Sequence, residues 1–593
     1  MSLEDFYTTY NARHYNPQQV AEKFIWSDSF RELIQNEHSV ILGARGCGKT
    51  TLMKMLTIPA LYSWTSDFRA EKIRKEIPFY AIYISTDIYW DVKNQTYGNQ
   101  LKEYGSFSDI ISHFSVNSNV FTSLCDTFIN IISLELNDSD ERKEIELCKC
   151  LIKSWKLKPT IPKLVYIKEA LNERIDFVNQ LIQEVIFNYS KDDKLPHPDY
   201  FNLNFESSVE EVIPKFERIY NLNGDKKWAL CFDELEFAPN WLKDKLFTSL
   251  RSRRQFILYK LSSSPILPLE LKKSLNNDYS ATSGNDVNLI KMWTVNNEEF
   301  SREIIKSLFK SKNVDLDTFF GSNDVYSQQY NSYTRESKFY KEIISLIEKD
   351  ISFKDFLSNK GININNPDLT IKKDQHRLYR KIKSIVYFRN HFIERNTGSN
   401  VELRSRKKSI ELYSGIEVLA KLCDGNPRWI IGVVSKIINR ARDESTVSKS
   451  IQFDEILGAA NRFKNVIANI PVGNNKLNIS EIVERLGEYF KNEIIGSQFK
   501  LDPKGSFIVD KDENRIEKNI VELIEKGVYQ GAFILVGADE NIYDFKIRGQ
   551  RFKLSYLFFI LYNIPLRSFS EISLSNCLNG YENTGINQTT LFN

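Results

Sequence analysis

The sequence predicts an α/β domain enlarged by long helical stretches, then a helical segment, then a small winged-helix-like C-terminal domain. Three observations predict it. Short apolar runs recur at His38–Leu42, Phe79–Ile84, Trp228–Asp233, Gln255–Leu261 and Val287–Met292, as strands buried on both faces do. Amphipathic runs of helical period fill much of the chain between about 100 and 220, Tyr166–Phe187 being one, and a second long stretch separates position 287 from Gly425. Beyond about 477, amphipathic helices at Ser480–Phe490 and Ile516–Val528 precede a hairpin-like pair within Ala532–Leu554.

Composition bounds the rest. A chain of 593 residues has room for several domains. With 42% hydrophobic and 13% aromatic residues, global disorder is excluded. The 80 basic and 77 acidic side chains leave a net charge of +3, so any nucleic-acid site has to be a local patch. The opening MSLEDFYTTYNARHY lacks the basic and apolar segments of a secretory leader. No window approaches a membrane span, the most apolar being Leu554–Ile564. Seven scattered cysteines suggest no disulfide framework, and Cys148-Lys149-Cys150 lacks zinc-ligand spacing. A reduced, cytoplasmic protein without membrane contact is expected.

The first chemical motif follows the first strand. Gly43-Ala44-Arg45-Gly46-Cys47-Gly48-Lys49-Thr50 lies between His38–Leu42 and the helical run Thr51–Leu56. This is G-x-x-x-x-G-K-[ST] in strand–helix context, a P-loop. Glycines without Cβ atoms let backbone N–H groups wrap a phosphate chain at a helix N-terminus. Residues 43–51, through Thr51, are therefore candidate nucleotide contacts; Lys49 would meet the β/γ-phosphates and Thr50 would ligate Mg²⁺. The second motif is Trp228-Ala-Leu-Cys-Phe-Asp233-Glu234. An apolar strand here delivers two carboxylates at its C-terminal edge, where open α/β sheets bind ligands. Asp233 would hold Mg²⁺ and Glu234 would polarise the attacking water, which makes ATP and Mg²⁺ the expected cofactors. The next strand ends in Ser262-Ser263-Ser264, and a polar side chain at that tip would face the γ-phosphate. Much later, Asp424-Gly-Asn-Pro-Arg428 opens the apolar helix Trp429–Ile438.

Taken together, P-loop, strand-Asp-Glu, strand-Ser and Gly-Asn-Pro-Arg resemble AAA+ ATPases of the origin-recognition-complex type, bacterial branch, and more loosely the STAND signalling ATPases. The resemblance implies a nucleotide-binding α/β domain, a helical lid and a C-terminal winged helix. It makes Lys49 and Thr50 Walker A, Asp233 and Glu234 Walker B, Arg428 sensor 2 and Ser263 the approximate counterpart of sensor 1, where the family often has Asn. Phe24–Phe30 falls where the family has its adenine-facing turn. About 180 residues separate Lys49 from Asp233, against roughly 60 for two βα units. Expected boundaries are 1–295 for the ATPase domain with its insertion at about 100–220, 296–470 for the lid with a basic insertion, and 471–593 for the winged-helix-like domain.

The strongest charge bias runs from Lys372 to Lys408, with Lys373, Arg377, Arg380, Lys381, Lys383, Arg389, Arg395, Arg404, Arg406 and Lys407 between. Tyr379, Tyr387, Phe388 and Phe392 are interleaved. Two readings stand: a cationic face for a nucleic-acid backbone, or a solvated helix whose aromatics pack inward. Arg548, Arg551 and Lys553 in the C-terminal hairpin would suit phosphates, although winged helices also dock proteins. Arg251, Arg253 and Arg254 are candidates for a trans-acting arginine finger in an oligomer. Pro503-Lys-Gly-Ser506 reads as a turn. No nuclease or hydrolase constellation accompanies these motifs, so a partner effector protein is expected to carry any destructive output. The expected function is an ATP-dependent switch acting on DNA or on that partner. The resemblance suggests the regulatory subunit of a bacterial anti-phage system. A replication or transposition initiator and a nucleotide-bound oligomeric scaffold are the alternatives.

Overall fold

A computed structural model describes residues 12–583 except 159–160, 223, 251–256, 267–286, 294–296, 310–313, 328–334, 368–372, 405–407, 442–444, 474–476 and 538–546. Arg251, Arg253, Arg254, Lys372, Arg406 and Lys407 therefore lie outside the described residues. The chain divides into two compact units, Asn11–Gly43 with Gly48–Met292, and Ala44–Cys47 with Trp293–Asn593.

The first of these is built on a parallel sheet of β1 (His38–Leu42), β2 (Phe79–Ser85), β3 (Lys227–Asp233), β4 (Ile257–Ser263) and β5 (Val287–Lys291), in the order β2-β3-β4-β1-β5. β1 sits between β4 and β5, neither of them its neighbour in sequence, and pairs Leu42 with Ser263 and with Lys291. Buried on both faces, β4 has no exposed residue along its length. Alternation sorts the β3 side chains. Ala229 and Cys231 join a core with Leu52 and Met53 of helix Lys49–Met55. Trp228 meets Phe128 and Phe216 edge-on, with those two rings stacked at 4.2 Å.

Phe128 and Phe216 belong to two of the long helices that enlarge this unit, Ser106–Asn130 and Phe205–Ile219. Helices Glu141–Ser154 and Leu164–Asn188 complete the set. The last covers the amphipathic run at Tyr166–Phe187 and buries Ile167, Leu171, Val178, Leu181 and Ile182. Phe107, Ile111 and Phe114 share a second core with Val178, Leu181 and Val185. Most of the apolar face therefore packs inward. Phe24 and Phe30 also join the core, where Phe24 meets Trp64 edge-on at 5.1 Å and Trp26 stacks on Trp64.

The second unit is mainly helical. Helices Lys338–Lys349, Ile351–Asn359 and Lys373–Phe392 lead into the antiparallel pair β6 (Ile393–Asn396) and β7 (Val401–Leu403). Helices Ile416–Leu422, Pro427–Ala441 and Lys449–Ala468 follow. The C-terminal sheet comprises β8 (Lys504–Ile508), β9 (Phe533–Leu535), β10 (Arg551–Leu554) and β11 (Ser570–Ser573), in the order β11-β8-β10-β9. β9 and β10 are antiparallel, as the hairpin-like pattern suggests, and helices Ile479–Ile495 and Lys518–Gln530 accompany them.

One sequence expectation is corrected here. Lys504, Gly505 and Ser506 are not a turn but the start of β8, which pairs with both β10 and β11. Glycine sits in this strand because a Cβ on Gly505 would lie 2.9 Å from Phe569 Cβ. The ring takes the space a side chain would fill.

The basic stretch is partly internal. Tyr379, Phe388 and Phe392 are buried, as is Tyr387. Arg389 is fully buried in an ion pair with Asp350 at 2.6 Å, and its Nη1 donates to the Ile494 and Gly496 carbonyls. Ser352 and Asn396 complete this network by donating to Asp350. A guanidinium with five donors can satisfy such a pocket where a lysine could not. Lys383 is also buried, donating to the Ser327 carbonyl at 2.8 Å. Arg377, Lys381, Arg395 and Lys408 are exposed. In the C-terminal domain, Arg551 binds Ser506 Oγ and the Phe569 carbonyl, Arg548 donates to the Ile516 carbonyl, and Lys553 pairs with Asp424.

Candidate nucleotide site

β1 delivers the glycine-rich turn to the C-terminal edge of the sheet. Gly43 stays tied to the neighbouring strand, its N–H donating to the Ser263 carbonyl at 3.2 Å. Gly46 and Gly48 take φ of 85° and 101°, the left-handed backbone that side chains disfavour. Gly48 is the N-cap of helix Lys49–Met55, so the turn ends at the positive end of a helix dipole. Lys49 is buried; its Nζ donates to the Gly43 carbonyl at 2.6 Å and lies 3.7 Å from Glu236 Oε1. Thr50 and Thr51 are half-buried in the first turn.

β3 brings the carboxylates to the same edge. Asp233 is 1% exposed. Its carboxylate accepts from Ser262 Oγ, from the Glu234 N–H at 3.0 Å and from the Tyr83 hydroxyl at 3.2 Å. Glu234 has φ 57°, a strained conformation for a residue with a side chain. Its N–H, shared between Asp233 Oδ1 and Ser262 Oγ at 2.9 Å, pins that backbone. Burial and the adjoining Asp233 charge push the Glu234 carboxyl above the usual carboxylate range. Arg13 opposes them, with Nη1 3.6 Å from Glu234 Oε2.

Arg13 is held by backbone contacts. Its Nη2 donates to the Thr86 carbonyl at 2.9 Å, and the Thr86 N–H in turn donates to the Asp233 carbonyl. Lys54 clamps the segment before it, donating to the carbonyls of Ala12, Arg13 and Tyr15 at 2.9, 2.8 and 3.1 Å. Burial lowers the Lys54 pKa. Arg13, Lys54, Tyr83 and Ser262 were missed by sequence reasoning, because their partners, backbone carbonyls for Arg13 and Lys54 and the Asp233 carboxylate for Tyr83 and Ser262, lie far from them in the chain. Only the run of three serines hints at Ser262.

The two serines at the end of β4 divide the work. Ser262 holds Asp233 and the Glu234 amide. Ser263 is 1% exposed, and its Oγ has no hydrogen-bond partner among the described residues. A buried orphan hydroxyl is rare and costly. Together with the left-handed glycines and the oxygen donors Thr50 and Asp233, it suits a phosphate chain with a hard cation. The residues present therefore fit Mg²⁺ and a nucleoside triphosphate.

Ala44, Arg45, Gly46 and Cys47 cluster with the second unit, which also holds Arg428. Arg45 N–H donates to the Tyr529 carbonyl at 2.8 Å, and Asn426 Nδ2 donates to the Arg45 carbonyl at 3.0 Å. A Cβ on Gly46 would fall 2.9 Å from both Arg428 Cβ and Asn426 Oδ1. Asn426 Oδ1 accepts from the Arg428 N–H at 3.1 Å, in the first turn of helix Pro427–Ala441. Asp424, at φ 51°, anchors this turn to the C-terminal domain through Ser555 Oγ and the Tyr556 N–H, both at 2.9 Å.

A family model described as ORC-CDC6-like matches residues 5–574. The chain belongs to the ORC-CDC6-like family. It is thus an AAA+ protein, and members of this family generally bind and hydrolyse ATP. No curated protein matches the chain. Among the described residues of this ORC-CDC6-like protein, no helix is long and apolar enough to cross a membrane.

Proposed function

We propose that the protein is an ATP-hydrolysing switch whose output passes to DNA or to a partner effector protein. The observation that carries the proposal is the paired carboxylate edge beside the P-loop: Asp233 buried and fixed by three donors, Glu234 held in a strained conformation with a raised pKa. Bound Mg²⁺–ATP supplies the phosphoanhydride and the cation that neutralises it. Lys49 offers its ammonium to the phosphate oxygens, and Thr50 and Asp233 would hold the cation. Glu234 takes a proton from water; a pKa raised by burial and by the Asp233 charge makes it a stronger base than an ordinary carboxylate. Arg13 orients Glu234 and limits its basicity. Ser263 meets the phosphate through its hydroxyl.

Arg428 as sensor 2, assembly into an oligomer and a regulatory-subunit role in bacterial anti-phage defence belong to this proposal and rest on the family resemblance. The C-terminal helices with the β9–β10 pair support a winged-helix reading and thus contact with DNA or protein. The test is ATP turnover with and without duplex DNA. Stimulation by DNA supports nucleic acid as the cue; turnover indifferent to DNA transfers that role to the partner protein. Absence of turnover under both conditions rejects the hydrolytic reading and favours the scaffold alternative.

A further inference from the structure

The two basic stretches that the sequence presents separately converge, within the second unit, on one cavity of about 780 Å³. Arg380 and Lys383 enter it from helix Lys373–Phe392, Lys553 from β10, and Lys421 and Arg567 from two further segments. Only two carboxylates, Asp424 and Glu298, line the same space among the described residues, so its walls carry a net positive charge. Those carboxylates pair with Lys553 and Lys421. Arg567 forms no ion pair among the described residues; it donates instead to the Lys381 carbonyl. Lys383 is 4% exposed, and burial brings its pKa down to about 8.

Concentrating cations in a recess is unfavourable unless an anion joins them. A second, independent feature is Ser384, which also lines the cavity: its residue is 5% exposed, and its Oγ is buried with no hydrogen-bond partner among the described residues. Tyr556 and Trp293 add aromatic surface, and the Ile534–Gly537 segment adds the outer edge of β9. Cations, an orphan hydroxyl and aromatic rings in a volume typical of small-molecule sites suit a compact phosphorylated ligand. We propose that this cavity binds a phosphorylated, nucleotide-sized ligand, distinct from the nucleotide at the P-loop, between the lid helices and the C-terminal sheet. Occupancy would brace Lys373–Phe392 against β10, giving the switch an input separate from ATP.

The test uses full-length Lys49→Ala protein, so that nucleotide binding at the P-loop does not mask the signal and failure of the ATP-switch reading is scored separately. Isothermal titration with ADP, with inorganic tripolyphosphate as competitor, measures the site. The expected result is ADP binding that tripolyphosphate displaces and that Arg380→Glu weakens at least about tenfold, as loss of a charge-assisted contact does. Arg380 is exposed, so its charge reversal does not disturb the core; Lys383→Met, with helicity checked by circular dichroism, is the second variant. Failure of ADP to bind, or equal binding by both folded variants, overturns the proposal. Binding of a DNA duplex weakened by Arg380→Glu, with no binding of ADP, also overturns it and assigns the surface to nucleic acid.

Discussion

Replacing Ser262 or Ser263 with alanine tests how the β4 tip supports the carboxylates. The two residues are neighbours, both fully or almost fully buried, and each loses one hydroxyl. Ser262→Ala removes a donor to the Asp233 carboxylate and an acceptor for the Glu234 N–H. A hydrogen bond to a buried charged group is worth about 1.5–3 kcal/mol, and among the described residues Asp233 keeps only the Tyr83 hydroxyl and the Glu234 N–H. About 2 kcal/mol of local stability is lost, enough to accelerate amide exchange about thirtyfold. Ser263→Ala deletes an Oγ with no hydrogen-bond partner among the described residues, so local stability is unchanged or gains about 1 kcal/mol. Hydrogen exchange across Lys227–Phe237 in the nucleotide-free protein reads both effects without requiring the whole chain to unfold in one step. Unaltered exchange in Ser262→Ala, or equal acceleration in Ser263→Ala, refutes this division of labour.

Other outcomes follow from the same geometry. Lys49→Ala abolishes nucleotide binding at the P-loop, checked in titration with a fluorescent ATP analogue as loss of the Mg²⁺-dependent component. In Arg13→Gln, loss of the cation beside Glu234 raises that carboxyl further; because a base works only when deprotonated, the acid limb of the pH–rate profile moves to higher pH. An unmoved limb rejects the Arg13–Glu234 coupling. Arg389→Ala leaves Asp350 buried without its partner and costs about 3–5 kcal/mol, seen as a lower thermal midpoint with ATP binding at the P-loop retained. Lys260 is buried on the Gln35 and Glu37 carbonyls, with a pKa brought down to about 7 by burial. Above pH 7 the unfolded chain still binds this proton while the fold releases it, so stability rises from about pH 7 toward 10. Lys260→Met flattens that rise in a series of denaturant titrations.

The parts of the site that were legible in the sequence are those encoded by local pattern. His38–Leu42 and Trp228–Asp233 are continuous apolar runs, and the glycines between β1 and the next helix need backbone freedom that no other residue supplies. The loop and the carboxylate pair are thus encoded by local sequence alone. What escaped depends on long-range backbone acceptors. Lys54 reaches carbonyls about forty positions earlier, and nothing in Ala12-Arg13 announces a residue that meets Glu234. The sequence names Ser263 but not Ser262, because adjacent side chains point to opposite faces of a sheet and strand register decides which one meets Asp233. Gly505 misled for a related reason: two residues after Pro503 it resembles a turn, yet it serves to admit Phe569. The basic stretch illustrates how composition obscures burial. Arg389 and Lys383 count as surface charges in sequence but lie in the core, and their partners Asp350 and Ser327 are distant in the chain.

The most direct test of the central claim is steady-state phosphate release from ATP and Mg²⁺ by the wild-type chain and by Glu234→Gln. The account predicts measurable turnover in the wild type and almost none in the variant, with ATP binding intact because Lys49 and Asp233 are untouched. Turnover by Glu234→Gln equal to the wild type would contradict it, since the base would then lie elsewhere than at the end of β3.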